Sequence, residues 1–405
     1  MTNKSDGETD ARRGAAAAGR DGGACRIVMA GGGTGGHLYP GLAVADALFA
    51  RAEETGRPVE LVWAATPRAV DQRLLTRFGE RYIRQPVQPL IKKVGKIWGF
   101  WKGWRESCAY WAAYFDQHDV HCVVALGGYA AGPASYIAAR RRIPVVLLNP
   151  DALPGMANRF LLKRADVVVT QWPLAREYES RVKGRVLALG CPIRPELVQR
   201  TREEGASKLG TDPTIRTLVV TGASLGAKTI NDAMLTLLED GAVRRPFEAG
   251  GNWQIVHLSG MDQAGAVREA YAKFPQVRAR VIDYCNDMAS VWAIADLAIA
   301  RGGASTCAEL TACGVPSLLL PYPFHKDMHQ RANAEELVRA GAAVIIEDAK
   351  EARQNAAAIK SMLQTLLYDD QRRSLMAEAA RIAGKPNAAA DIAAEIVSLT
   401  APSSR

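Results

Sequence analysis

Only one histidine of this chain sits inside a glycine run: residues 31–36 read Gly-Gly-Gly-Thr-Gly-Gly, and His37 follows directly. Glycines let backbone N–H groups approach a ligand closely. A helix starting there turns its partial positive charge toward an anion or a sugar. An imidazole at that point titrates in the range of a general base, and it can equally hold a phosphate. The run matches G-x-G-x-x-G, which alone is a weak signal. A dinucleotide site also needs a carboxylate closing the second strand, where the chain reads Trp63-Ala64-Ala65-Thr66-Pro67. A phosphate-binding P-loop needs Lys-Ser/Thr after the glycines, and none follows.

Two more glycine loops come after apolar runs, at Leu126–Pro133 and Thr221–Asn231. The latter carries Ser224, placed to cap a helix or to meet a phosphate. A fourth small-residue stretch, Ala300–Leu310, precedes the segment Gly314–Leu337. There Thr306 and Glu309 have capping-box spacing, and a carboxylate at Glu309 would also accept bonds from a ribose diol. His325 and His329 are four apart but lack the glutamate of a zinc-protease helix, so no metal site is expected. His118, His121 and His257 read as ordinary surface or core residues.

Positioning such loops takes strands. Short β-branched runs alternate with Ala- and Leu-rich stretches, the pattern of an α/β parallel sheet. Runs at 25–30, 59–65, 122–127, 144–149, 166–171 and 185–190 form one set, and runs at 217–222, 253–260, 279–284, 295–301, 315–321 and 342–347 a second. Between them 201–214 is polar and contains Gly and Pro, as linkers do. The expected organisation is a tail (1–24), a Rossmann-like domain (25–200), a linker (201–214), a second Rossmann-like domain (215–378) and a C-terminal helix (379–405) returning to the first. A cleft between two such domains would collect the loops that follow the strands.

Composition agrees: 405 residues, 48% hydrophobic and 23% charged, suit two globular domains. Seven scattered cysteines with no C-x-x-C read as reduced thiols of a cytosolic protein. No apolar stretch approaches the length of a membrane span. The net charge of +9 gains meaning only where it is concentrated, between Lys92 and Arg105.

The segments GGGTGGHLYPGLAVADAL, LGGYAAGP, PGMANRFL, GCPIRPEL, GASLGAKTIN, NDMASVWAIADLAIARGGASTCAEL and HQRANA occur in order over residues 25–347. Together they resemble the MurG family within glycosyltransferase family 28. The resemblance implies a GT-B fold of two Rossmann-like doubly wound domains. It also implies inverting transfer of GlcNAc from UDP-GlcNAc to a polyprenyl-pyrophosphate-linked muramyl acceptor (lipid I to lipid II), with no cofactor or catalytic metal. It implies His37 as the catalytic residue. On the donor side it places Thr34, Gly35, Gly36, Arg194, Ser224, Cys285, Glu309, His329, Gln330 and Asn333, and on the acceptor side Gly127, Gly128, Tyr129, Asn149, Asp151 and Asn158. The family usually reads His-Glu-Gln-Asn where this chain has Leu148-Asn149-Pro150-Asp151, and a Gln where it has Leu225. Acceptor identity is therefore less closely implied than donor. A different lipid-linked acceptor, a UDP-sugar epimerase and a non-catalytic UDP-sugar binder are the alternatives.

Four of the eight tryptophans, Trp98, Trp101, Trp104 and Trp111, fall among Lys92, Lys93, Lys96, Lys102 and Arg105. Tryptophan favours the headgroup boundary and lysine an anionic leaflet. The same mixture suits single-stranded nucleic acid, or a helix packing its tryptophans inward. With a lipid-linked acceptor implied, the membrane reading is preferred. Trp98, Trp101, Trp104, Lys93 and Lys96 are then the expected patch, on the cytoplasmic face of the inner membrane, with no nucleic-acid partner.

Overall fold

Strands whose residues are apolar throughout bury both faces, as a parallel sheet covered by helices requires. The computed structural model describes residues 24–90, 94–222, 226–324 and 328–401, with side chains at all of these except 94–96. The expected tail up to residue 23, Ser224, Leu225, His325, Lys92, Lys93 and the Lys96 side chain lie outside what is described.

The first sheet has seven strands: β1 (Cys25–Gly31), β2 (Val59–Ala65), β3 (Tyr82–Arg84), β4 (Cys122–Gly127), β5 (Val145–Asn149), β6 (Val167–Thr170) and β7 (Arg185–Leu187). Their order is β3-β2-β1-β4-β5-β6-β7. β1 pairs in parallel with β2 and β4, β2 with β3, and β4 with β5. The second sheet has six: β8 (Arg216–Thr221), β9 (Trp253–Leu258), β10 (Ala279–Ile282), β11 (Ala295–Ala300), β12 (Ser317–Leu319) and β13 (Ala343–Ile345). Their order is β10-β9-β8-β11-β12-β13, and every neighbouring pair is parallel. Both are doubly wound sheets whose order reverses once, at β1/β4 and at β8/β11, and ligands of such sheets bind at the carboxyl ends of the strands flanking the reversal. The four small-residue loops of the sequence follow these four strands.

The helices that position the loops are α1 (Gly35–Thr55), α2 (Ala69–Leu75), α3 (Val94–Gln117), α4 (Ala131–Arg140), α5 (Met156–Leu161), α6 (Arg202–Leu209), α7 (Lys228–Glu239), α8 (Ala304–Cys313), α9 (His329–Arg339) and α10 (Ala388–Thr400). By packing, the chain divides into two compact units. One takes the chain up to Leu147 with Phe160–Val167 and the residues from Ala390; the other takes Leu148–Arg159 with Val168–Ala389. In the first, Arg57 Nη2 donates to Thr400 O at 3.1 Å, fastening the end of α10. In the second, apolar residues fill both faces of the second sheet: Val219, Val256, Ala298 and Cys307 on one side, Val220, Ile255, Ile299 and Phe247 on the other.

The strands fall where the β-branched runs predict, with one addition. β3 has only three residues at the sheet edge, too short to show an alternation. The segment expected as a linker is not irregular. Thr201 caps α6 and Glu204 reaches back to the Thr201 N–H, a complete capping box. No helix among the described residues is long and apolar enough to cross a membrane. All seven cysteines are free.

Candidate functional site

In the first unit, β1 and β4 each end on glycine and their loops meet at His37. Thr34 takes extended geometry as the N-cap of α1. Its hydroxyl does not cap the helix; Oγ1 shares a hydrogen bond with His37 Nδ1 at 3.0 Å. The imidazole also lies against the second glycine loop. A Cβ on Gly128, whose φ is +72°, would sit 3.0 Å from His37 Nδ1 and Cε1, so this position needs glycine both for its backbone angle and for the ring beside it. Arg68 Nη1 donates to Gly33 O at 3.0 Å, and its guanidinium lies 5.7 Å from the centre of the Tyr129 ring. Thr34, Gly35, Gly36, His37, Gly127, Gly128 and Tyr129 are thus brought together.

Behind the second loop, Gln85 joins it to α3. Gln85 Nε2 donates to Ala130 O at 2.9 Å, and Trp111 Nε1 donates to Gln85 Oε1 at 2.9 Å. Trp111, which shares the basic, tryptophan-rich segment but not the expected patch, is fully buried, and its indole links α3 to the core. Trp104 is half-buried against Tyr136 and Phe160, with ring centres 6.0 and 5.7 Å away. Among the described side chains of the expected patch, Trp98 and Trp101 are strongly exposed, at 79% and 54%, and Ile97 and Leu90 are exposed as well.

In the second unit, Arg194 lies near both Cys285 and Glu309, the latter on α8. Arg194 Nη2 donates to Asn286 O at 3.1 Å, next to Cys285, whose half-buried thiol is raised above its ordinary value by burial. Glu309 does not cap a helix. α8 begins three residues too early for a Thr306–Glu309 capping box, with Gly303 as its N-cap. Instead Trp292 Nε1 donates to Glu309 Oε2 at 2.7 Å. Burial pushes the Glu309 carboxyl above its ordinary value, against the opposing pull of the Trp292 bond and of Arg194.

α9 supplies His329, Gln330 and Asn333. Gln330 Oε1 accepts from Tyr322 N at 2.9 Å. His329 Nδ1 bonds Leu153 O at 2.9 Å. Asn333 is fully buried, and its amide donates to Asp151 Oδ1 and Gly302 O and accepts from Ala152 N. Asn149, at the end of β5, and Asn158, in α5, are both buried: Asn158 Nδ2 donates to Asn149 Oδ1 and Leu148 O, and Asn149 Nδ2 donates to Asp151 O. The segment that departs from the family pattern therefore packs on the helix that keeps it. His257 is a core residue, bonded at one ring nitrogen to Tyr271 and at the other to Asn231, with burial pushing its imidazole down to about 3.

Sequence reasoning missed four groups. Asp71 and Arg68 hold the first glycine loop. Trp292 orients Glu309. Arg301, directly after β11, makes a buried ion pair with Asp348 at 2.7 Å and donates to Thr229. Burial alone would raise the Asp348 carboxyl, but bonds from Thr229, Asn355 and Arg301 bring it below its ordinary value. No local spacing announces such partners; an arginine opening a small-residue loop is the one cue available. Among the described residues no group of three or more His, Cys, Asp or Glu is arranged so that it could hold a metal ion.

Two doubly wound parallel sheets, with glycine loops at both reversals, define the GT-B fold, an architecture of enzymes that handle sugar nucleotides. The model for the glycosyltransferase family 28 N-terminal domain matches residues 27–170 and that for its C-terminal domain residues 217–396. The chain belongs to glycosyltransferase family 28. Two relatives share the name UDP-N-acetylglucosamine--N-acetylmuramyl-(pentapeptide) pyrophosphoryl-undecaprenol N-acetylglucosamine transferase. That of Desulfitobacterium hafniense is 32% identical over 90% of this chain and 96% of its own. That of Sorangium cellulosum is 35% identical over 92% and 88%. Among solved structures, MurG of Acinetobacter baumannii superposes with a TM-score of 0.69 at 26% identity, covering 92% of this chain and 99% of that one. A UDP-GlcNAc 2-epimerase from Neisseria meningitidis, at 12% identity and a TM-score of 0.63 over 92% and 99%, shares the fold alone.

Proposed function

We propose that the chain transfers GlcNAc, with inversion, from UDP-GlcNAc to the muramyl sugar of an undecaprenyl-pyrophosphoryl-linked acceptor at an anionic membrane surface, the cytoplasmic face of the inner membrane. The observation that carries the reading is His37, held by Thr34 and fitted against Gly128 between two glycine loops. In this reading the acceptor hydroxyl oxygen attacks the anomeric carbon. The bond from that carbon to the β-phosphate oxygen breaks, UDP leaves with the electron pair, and His37 takes the hydroxyl proton. Residues 25–200 serve the acceptor and 215–378 the donor. Glu309 receives the ribose hydroxyls, Arg194 and the third glycine loop face the diphosphate, the backbone at Cys285 faces uracil, and His329 and Gln330 line the sugar; Asn333, expected beside them, is buried and instead holds the turn at Asp151 behind them. Asn149, Asp151 and Asn158 shape the acceptor side by fixing the turn after β5. Trp98 and Trp101 enter the headgroup region, where their exposure would otherwise be costly.

His37→Ala tests the mechanism. The expected result is a fall in kcat of at least about a thousandfold, within the range for loss of an acid–base group, with the Kd for UDP within about twofold of wild type. Wild-type turnover in that variant removes His37 from the mechanism.

A further inference from the structure

The carboxylate that holds the first glycine loop is itself buried, and it touches no reacting group. Asp71 is 0% exposed, in the first turn of α2. Its two oxygens take the Gly33 N–H at 2.8 and 3.0 Å, and Oδ2 also takes the Thr66 N–H at 2.8 Å and the Thr66 hydroxyl at 2.7 Å. Every partner is a donor, which is the condition for burying a carboxylate without a large penalty. The carboxylate presses so closely on the loop that a Cβ on Gly32 would lie 2.3 Å from Oδ2, on a residue whose φ is +150°.

The Gly33 peptide is therefore gripped on both edges, its N–H by Asp71 and its carbonyl by Arg68. The next residue is Thr34, which bonds His37. We infer that Asp71 is a positioning residue for the transfer: it fixes the Gly33–Thr34 turn and through it the setting of the His37 ring. This rests on the proposal that His37 is the base. The geometry also says what the first loop is not. A carboxylate that closes a dinucleotide site reaches for the ribose of a ligand; Asp71 reaches back for the loop itself. The Gly33 amide is thereby committed within the protein and withheld from any phosphate.

Asparagine is isosteric here but not conservative. Both carboxylate oxygens face donors, so an amide places its NH2 against an N–H or O–H. Asp71→Asn should lower kcat about a hundredfold, the cost of a small misplacement of a reacting group, while the KM for UDP-GlcNAc stays within about twofold. Thr66→Val removes one donor to the carboxylate and leaves the other two; it should lower kcat about tenfold with the same KM. That milder variant decides the matter if Asp71→Asn does not fold. A wild-type kcat in the folded variants, or equal losses in kcat and in UDP-GlcNAc binding, overturns the inference. If His37→Ala keeps wild-type turnover, the base and this inference fall together. If His37→Ala is inactive while Asp71→Asn turns over normally, this inference alone falls.

Discussion

Glu309 combines a half-buried carboxyl with an indole N–H and a nearby guanidinium, and its raised carboxyl gives a pH dependence with a definite sign. In the proposed complex the ribose hydroxyls donate to the ionised group. As pH falls through a folded-state value above the ordinary carboxylate range, the group takes up a proton and loses an acceptor. UDP-GlcNAc affinity, measured by calorimetry from pH 8 to pH 5, should therefore weaken on the acid side. Glu309→Gln should bind about tenfold or more weakly at pH 8, the size of a lost charge-assisted hydrogen bond, and show no such fall. An acid limb that survives in Glu309→Gln assigns the titration elsewhere. Glu309 was legible as a carboxylate with two readings, cap or ribose ligand, and the start of α8 at Ala304 removes the cap. Asp71 was not legible. It lies five residues past Thr66, and the bonds that give it meaning run to Gly33, which folding alone brings near.

At the level of elements, α3 shows why a tryptophan count cannot separate a surface from a core. Its N-terminal half exposes Ile97, Trp98 and Trp101, and its C-terminal half buries Trp111 and Phe115. Trp98→Ser with Trp101→Ser should leave the unfolding midpoint within about a degree or two, as surface changes do. The same pair should weaken co-sedimentation with phosphatidylglycerol-containing liposomes about tenfold. Trp111→Phe should behave oppositely. It leaves Gln85 Oε1 without its donor at a cost of about 1–3 kcal/mol, and liposome binding of the folded protein is unchanged. Unchanged liposome binding in the double serine variant would place membrane contact on another surface. Most elements could be read from periodicity because continuous β-branched runs admit few alternatives. The edge strand β3 was too short for that, and the polar composition of 201–214 concealed the Thr201–Glu204 capping box.

For the whole molecule, two repeats of strands and helices, the order of the motifs and the glycine loops were all readable. They led to the fold and family that the sheet orders and the family models bear out. The turn Leu148–Asp151 was readable only as a departure. The hydrogen bonds that tie Asp151 and the adjoining Ala152 to Asn333 join residues far apart in the chain, and local sequence carries no sign of them. The most direct measurement is transfer itself: the wild-type chain with labelled UDP-GlcNAc and an undecaprenyl-pyrophosphoryl-muramyl-pentapeptide acceptor in detergent. The account predicts one UDP released for each GlcNAc gained by the lipid, with no release when the acceptor is omitted. Donor binding without any gain of label on the lipid would contradict it.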